Sequence, residues 1–517
     1  MQTVHDLVRL AASRAPRQLA IVDDRSGRKL AYAELLAEID RVAAGLAQRG
    51  IAAGDRVATC LPNLYDHALA LLALDRLGAV PALINARLKP EDVGELIRQG
   101  AMRAAIVAAD KAFAAAARGA LPPGAPVITA GGIVENSTDL AACAGDASAL
   151  PAYARPAPDA TAFVFYTSGT TGLPKGAELP QRAAEARLLY MATQCGMRHG
   201  THNRVLGLMP LFHVVGFYSV LLGALGFDGT YYVCSAFDPA KAVDTIERER
   251  ITLLYGTPTH FHAILSAPNF AREKMASVET VVYAGAPMPG PLLDRVGQMF
   301  DGRITNIYGT TEVMNALYMP NPVGRPHTYR PGYYSQVRVG RFGGSVHDEA
   351  PVGEDGELLV DASADATFTR YLNRPDATAA KLQSGWYRTG DIAARREDGD
   401  FDLKGRVDDM IISGGENIYP EEVEAALLQH EGVRECSVVG APDQKWGEVV
   451  VACVVAKAAG LAETDLDRFL RGSRLADYKR PRVYLFMDEL PKNATNKVLR
   501  RVLRETAARA AEPMWST

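Results

Sequence analysis

Residues 163–175 read FVFYTSGTTGLPK, a run of hydroxyls and glycines directly behind an apolar stretch. Phe163 to Tyr166 reads as the end of a buried strand. Thr167, Ser168, Gly169, Thr170, Thr171 and Gly172 then offer backbone N–H groups, hydroxyls and no bulk, which suits a loop wrapped around phosphate oxygens. Pro174 stiffens the exit and Lys175 adds a cation where the loop ends. The plainer alternative is an ordinary Ser/Thr/Gly-rich turn. A Walker loop is excluded, because it needs Gly before the lysine and Ser or Thr after it. Lys175 stands between Pro174 and Gly176.

Three later segments share one design, an apolar run ending in a glycine-containing turn: LLYGTPTH (253–260), VVYAGAPMP (281–289) and TNIYGTTE (305–312). Parallel strands place their C-terminal ends on one edge, where open α/β sheets bind ligands. The first 150 residues support such a sheet. Helical spacing over 32–50, closed by Gly50, is followed by a strand-like run at 56–61, a helix at 67–77 stopped by Gly78, and a strand at 79–84. The Ala-rich stretch 101–132 does not separate helix from surface loop. Residues 151–158 form a Pro-rich connector, 181–194 a helix candidate, 353–360 a hairpin-like stretch, and 384–391 a turn-rich one. Beyond about Arg406 the chain reads as a small α/β unit, with strands at 410–412, 436–440 and 449–455 and helices at 420–429 and 463–470.

With 517 residues, 48% hydrophobic and 22% charged, the chain has the composition of a soluble globular protein of more than one domain. A net charge of −4 disfavours nucleic acid as the main partner. The six cysteines form no CxxC pair, so a reducing compartment is expected and neither zinc nor a disulfide framework is suggested. No run approaches the ~18 apolar residues of a membrane span, and no signal peptide is evident. A cytoplasmic protein without a membrane partner is the expectation.

YTSGTTGLPKG (166–176) resembles the signature of the adenylate-forming enzymes, which include acyl-CoA synthetases, adenylation domains of peptide synthetases and firefly luciferase. The resemblance implies a large N-terminal α/β domain of parallel and mixed sheets, residues 1–407, and a small mobile C-terminal α/β domain, 408–517. It implies ATP, CoA and Mg²⁺ as cofactors. Beyond the phosphate loop, Gly285, Ala286 and Pro287 would line the adenine slot and Tyr308 would stack on the base. Thr311 would touch the α-phosphate, and Glu312 would act in catalysis by helping to hold Mg²⁺. Asp391 and Arg406 would contact the ribose, and Asp408 would be the hinge. Lys497 would be the catalytic lysine, although Asn496 precedes it where the family pattern has Gly.

LGLMPLFHVVGF, IYGTTEVMNALYM, GRVDDMIISGGENIYP and PKNATNKVLRR bring the chain nearest to the aryl-CoA ligases of that family, as do MQTV and GAVPALINARLK. A small-molecule carboxylate of the benzoate type, such as 4-chlorobenzoate, is the implied substrate. The aryl pocket would be Tyr190, Met209, Val214, Val215, Tyr255, Ala284, Ile307, Gly309, Met314 and Asn315. His213 joins the catalytic residues there, although on its own it reads more simply as a packed histidine. Tyr190 and Tyr255 carry hydroxyls where the resemblance leads one to expect Phe. Arg87, Gly414, Gly415, Trp446, Tyr478 and Arg480 would meet CoA. The resemblance leaves room for a homodimer. A medium-chain fatty-acyl-CoA ligase, a module loading a carrier protein and a luciferase-like oxygenase are the alternative readings.

Overall fold

The computed structural model describes residues 2–167, 173–324, 328–492 and 498–511. Ser168, Gly169, Thr170, Thr171, Gly172 and Lys497 therefore lie outside the described residues. By packing, the chain divides into two units. One comprises Met1–Pro326, Arg330–Val337 and Val360–Tyr387; the other comprises His327–Tyr329, Arg338–Leu359 and Arg388–Thr517.

The first unit is built on two sheets. In one, strands run in the order Arg370–Tyr371, Lys175–Pro180, Thr161–Thr167, Val80–Leu83, Arg56–Cys60, Ala104–Ala108, Val127–Ala130 and Thr138–Asp139. Its pairs from Thr161–Thr167 onward are parallel, and the first two are antiparallel. The other carries Leu317–Pro320, Arg303–Tyr308, Thr280–Ala284, Leu253–Gly256, Arg204–Gly207, Thr230–Val233, Leu19–Val22 and Lys29–Ala31. Here the strands from Arg303–Tyr308 to Leu19–Val22 are parallel. Both faces of this stretch are buried, as apolar runs without alternation require. Leu254, Val281, Tyr283 and Ile304 enter one core cluster. Tyr255, Val282, Ala284 and Ile307 enter another.

The register brings the glycine turns together. Gly256 is opposite Tyr283, and Ala284 is opposite Ile307, so three strands end on one edge with Gly285 and Gly309 just beyond. The Ala-rich stretch resolves into strand Ala104–Ala108, helix Lys111–Ala120 and strand Val127–Ala130. Asp110 caps that helix by accepting from the N–H groups of Ala112 and Phe113. Residues 384–391 are less turn-rich than their composition suggests. Ser384 (φ 45°) and Gly385 (φ 82°) make the turn, and a strand, Trp386–Arg395, starts at once.

In the second unit, the long strand Gly447–Ala456 pairs with Val433–Asp443, Ile411–Ser413 and Val483–Phe486. Its side chains alternate between two cores. Val450, Ala452 and Val454 meet helices Pro420–Leu427 and Glu463–Arg471, through Val423, Leu427, Leu466 and Leu470. Val449, Val451, Cys453 and Val455 face Leu503 and Ala507 of helix Arg500–Ala511. Strands earlier than Asp408 also group here: the Tyr419 hydroxyl donates to Asp355, and Lys404 pairs with the same carboxylate. The packing division thus falls elsewhere than the expected pivot at Asp408, which concerns motion rather than packing.

All six cysteines are free thiols. Burial raises each, to about 12 for Cys60, Cys195, Cys234 and Cys453, and upward also for Cys143 and Cys436.

The turn after Arg303–Tyr308 closes on itself so tightly that a Cβ at Gly309 would lie 1.2 Å from the Met314 carbonyl oxygen. Met314 itself adopts φ 48°, costly for a side chain. Gly309→Ala should therefore destabilise the protein by roughly 1–3 kcal/mol and displace the residues that follow. Urea unfolding checks the first effect, and a midpoint equal to that of the parent would refute it.

Candidate active site

Glu312 is 6% exposed and sits just past the end of strand Arg303–Tyr308. A buried carboxylate needs hydrogen-bond donors in place of the water it has lost. The Tyr371 hydroxyl donates to Glu312 Oε1 at 2.6 Å, and the Phe368 N–H donates to the Glu312 carbonyl at 2.7 Å. Tyr371 belongs to the sheet that also holds the phosphate-loop flanks. Its ring lies 5.7 Å from Lys175 Nζ, within cation–π reach. Thr167 and Lys175 are paired across the ends of their strands, and Thr167 Oγ1 donates to the Lys175 carbonyl at 3.3 Å. Lys175, Tyr371 and Glu312, far apart in sequence, thus form one group. Phe368 and Tyr387 pack against it, with ring centroids 4.9 Å from Tyr371 to Phe368 and 5.5 Å from Phe368 to Tyr387.

Gly285 (φ 85°), Ala286 and Pro287 follow the neighbouring strand Thr280–Ala284. Thr311 precedes Glu312 in the turn, and Tyr308 ends the strand, partly buried against the same core. Met209, Val214, Tyr255, Ala284, Ile307 and Met314 all belong to one contiguous apolar cluster, with Val215 packed against it. Asn315 is 1% exposed; its Nδ2 has no partner, and its carbonyl accepts from Gln194 Nε2 at 3.3 Å.

The two unexpected tyrosines differ. Tyr190 stands outside that cluster and packs with Ala186 and Ala366, and its hydroxyl meets Ser335 Oγ at 3.3 Å. Tyr255 lies within the cluster, and its buried hydroxyl faces the Ser219 hydroxyl without a well-formed hydrogen bond. His213 opens the turn into the π-helix Val215–Leu221. Burial lowers its pKa to about 4, and the nearby Arg87 charge adds to this, so the imidazole is neutral at pH 7. Its Nε2 is buried and unpartnered. Arg87 acts in the same sense on His260, so a residue expected at CoA stands close to both histidines.

In the second unit, Asp391 and Arg406 are cross-strand partners, with Arg406 Nη1 3.0 Å from Asp391 Oδ1. The approach to Asp391 is fixed by Glu357, which accepts from Arg388 Nη1 at 2.6 Å and from the Gly390 N–H at 3.0 Å. Asp408 lies in the short 3-10 turn Val407–Asp409, where its carbonyl accepts from Arg504 Nη2 at 2.5 Å. Gly414 (φ 61°) donates its N–H to the Trp446 carbonyl at 2.7 Å. A Cβ there would fall 2.8 Å from the indole, and Gly415 (φ 86°) follows. Lys445 and Arg482 flank the Trp446 ring at 4.8 and 4.9 Å. Tyr478 is 47% exposed, and Arg480 pairs with Asp467 and Asp477.

Sequence reasoning missed Tyr371, Arg187 and the two cations at Trp446. Tyr371 and Arg187 lie in no motif and meet the site only through the fold; Arg482 is one residue of a basic run whose target the sequence does not reveal.

Comparison with known proteins identifies the family of the chain. Residues 8–372 match the family profile of the AMP-binding enzymes, and residues 422–497 match that of the AMP-binding enzyme C-terminal domain. The chain is 47% identical to a 4-chlorobenzoate–CoA ligase of an Arthrobacter species, covering 98% of this chain and 95% of that protein. Identity is 45% to the enzyme of the same description from Pseudomonas sp. strain CBS-3, over 98% and 94% of the two chains. Among solved structures, o-succinylbenzoate CoA synthetase of Bacillus subtilis, in complex with its acyl-adenylate intermediate, superposes with a TM-score of 0.83. That match has 27% identity and covers 96% of this chain and 97% of the other. The chain belongs to the AMP-binding, adenylate-forming enzymes.

Proposed function

We propose that this protein is an ATP-dependent carboxylate–CoA ligase acting on benzoate-type acids, with 4-chlorobenzoate as its leading candidate. Full-length similarity to the 4-chlorobenzoate–CoA ligases carries this reading. It is supported by the apolar character of the residues expected at the aryl pocket, among them Met209, Val214, Ala284, Ile307 and Met314, a set that suits a flat ring better than a long chain. A fatty-acyl ligase fits less well for the same reason, and the predicted CoA contacts weigh against carrier-protein loading.

In the first step the substrate carboxylate attacks the α-phosphorus of ATP, and pyrophosphate leaves with the bond pair. In the second, the CoA sulfur attacks the acyl carbonyl. The thiol proton is released, and AMP departs with the electrons of its carbon–oxygen bond. Catalysis is mainly positioning and charge stabilisation. Thr311 and the phosphate loop with Lys175 hold the phosphates, Asp391 and Arg406 the ribose, and the turn at 285–287 with Tyr308 the adenine. His213, neutral, presents a nitrogen to the acid rather than a second charge.

Mg²⁺ fits the donors present. No group of three or more His, Cys, Asp or Glu able to hold a metal occurs among the described residues, so the ion is best held by the buried Glu312 carboxylate together with substrate phosphates. Bound there, it offsets phosphate charge.

Asp408 is proposed as the pivot that exchanges Lys497 for the Gly414–Gly415–Trp446 face between the two steps. A cytoplasmic location is supported by the six free thiols and by the absence, among the described residues, of any helix long and apolar enough to cross a membrane. Light scattering tests the homodimer.

AMP release with ATP and CoA across benzoate, halobenzoates, hydroxybenzoates, cyclohexanecarboxylate and octanoate is the deciding experiment. Octanoate as the best substrate would overturn the aryl assignment. Lys497→Ala should lower adenylate formation by ~10²–10³ while thioester formation from supplied acyl-adenylate changes much less. Equal loss in both single-turnover assays would refute a role confined to the first step. Asp408→Pro, which locks φ near −65°, should spare one half-reaction and collapse turnover; unchanged kcat would remove the residue as pivot. For the tyrosines, Tyr255→Phe should raise kcat/KM for halobenzoates relative to hydroxybenzoates, because a halogen leaves a buried hydroxyl unpaired at ~1–3 kcal/mol. Tyr190→Phe, whose hydroxyl is already engaged, should leave that ratio nearly unchanged. The reverse order would reject the pocket assignment of Tyr255.

A further inference from the structure

Arg187 projects from helix Ala183–Thr193 and is 0% exposed. A guanidinium taken wholly out of water costs several kcal/mol unless its charge and donors are met. Its Nε and Nη2 donate to the Ala366 carbonyl at 3.1 and 2.8 Å, and Nη2 also reaches the Thr311 carbonyl at 3.2 Å. The Tyr218 ring stacks beneath it at 5.0 Å, and Nη1 is buried without a partner. Burial lowers its pKa to about 10, which leaves it charged at neutral pH, and Glu312 is the carboxylate whose field acts on it.

The two carbonyls are the informative part. Thr311 immediately precedes Glu312. Ala366 opens the segment whose Phe368 N–H and Tyr371 hydroxyl hold Glu312 by backbone and side chain. One guanidinium therefore spans the turn that carries the carboxylate and the segment that orients it. Only a planar fork places two donors on one oxygen while sharing one of them with a second; an ammonium does not. An apolar side chain would fill the same helix face without the cost of a buried charge, but it would leave both carbonyls without this donor.

We propose that Arg187 is a positioning residue for the metal–nucleotide end of the site, fixing Glu312 by clamping the carbonyls of Thr311 and Ala366 together. This rests on the assignment of Glu312 to Mg·ATP made above. The test measures Mg²⁺-dependent ATP binding by calorimetry, without acid or CoA, in the full-length parent, Arg187→Lys and Arg187→Met. Thermal midpoints are recorded alongside. Binding should weaken on the order of tenfold to a hundredfold in Arg187→Met, with Arg187→Lys in between. Benzoate-dependent pyrophosphate exchange should fall in parallel, while thioester formation from supplied benzoyl-adenylate changes less than about threefold. Arg187→Met should add little to Glu312→Gln, as expected for residues acting through one another.

A lower thermal midpoint with unchanged Mg·ATP binding, or equal loss in both half-reactions, would overturn the proposal and leave Arg187 a packing residue. Should Arg187→Met not fold, Arg187→Lys carries the same comparison. A parent protein that binds no Mg·ATP would instead overturn the nucleotide assignment itself.

Discussion

The hydrogen bond from the Tyr371 hydroxyl to Glu312 is the constraint on which the first unit turns. Its two ends belong to different sheets, Tyr371 on the edge strand beside Lys175–Pro180 and Glu312 past the end of Arg303–Tyr308. A buried carboxylate needs hydrogen-bond donors in place of water, and the Tyr371 hydroxyl cannot reach it unless the two sheets keep their spacing. Sheet packing, the reach of Lys175 toward Tyr371 and the depth of the apolar cluster are linked through this contact. The candidate residues of the first unit meet at the seam between the sheets, and that seam is held by polar bonds that an apolar core alone would not specify.

The second unit answers a different demand. Asp391 and Arg406 face each other in an ion pair across their strands, so each keeps the other's charge compensated and its rotamer restricted. The same logic appears at Gly414, where the close approach of the Trp446 ring leaves no room for a side chain.

Much of this was legible in the residues. Short apolar runs closed by glycine predicted parallel strands, and their register places the turns at 256, 285 and 309 on one edge as expected. Gly78 ends its helix in the left-handed conformation its position suggested. The Ala-rich stretch was not legible, because alanine suits a buried strand and a helix alike; Asp110 as a cap was the one local signal. Residues 384–391 mislead by composition, because Ser384 and Gly385 turn immediately before the strand Trp386–Arg395. The motif residues of the site stood out by type, whereas Tyr371 and Arg187 did not. Their importance lies in what tertiary structure sets beside them, and a lone tyrosine or arginine carries no such mark. The hydroxyls of Tyr190 and Tyr255 looked equivalent in sequence and were separated only by Ser335, a residue 145 positions from Tyr190.

The thiols carry one more consequence. An enzyme that makes an aryl thioester releases an electrophile, and any cysteine thiolate nearby could take the acyl group from it. The nucleophile is the thiolate, not the thiol. Burial pushes the thiols of Cys60, Cys195, Cys234 and Cys453 up to about 12, which keeps them in the thiol form at neutral pH. Burial that serves packing thus also makes the protein a poor acceptor for its own product, leaving the acyl group to the one thiol it is meant for.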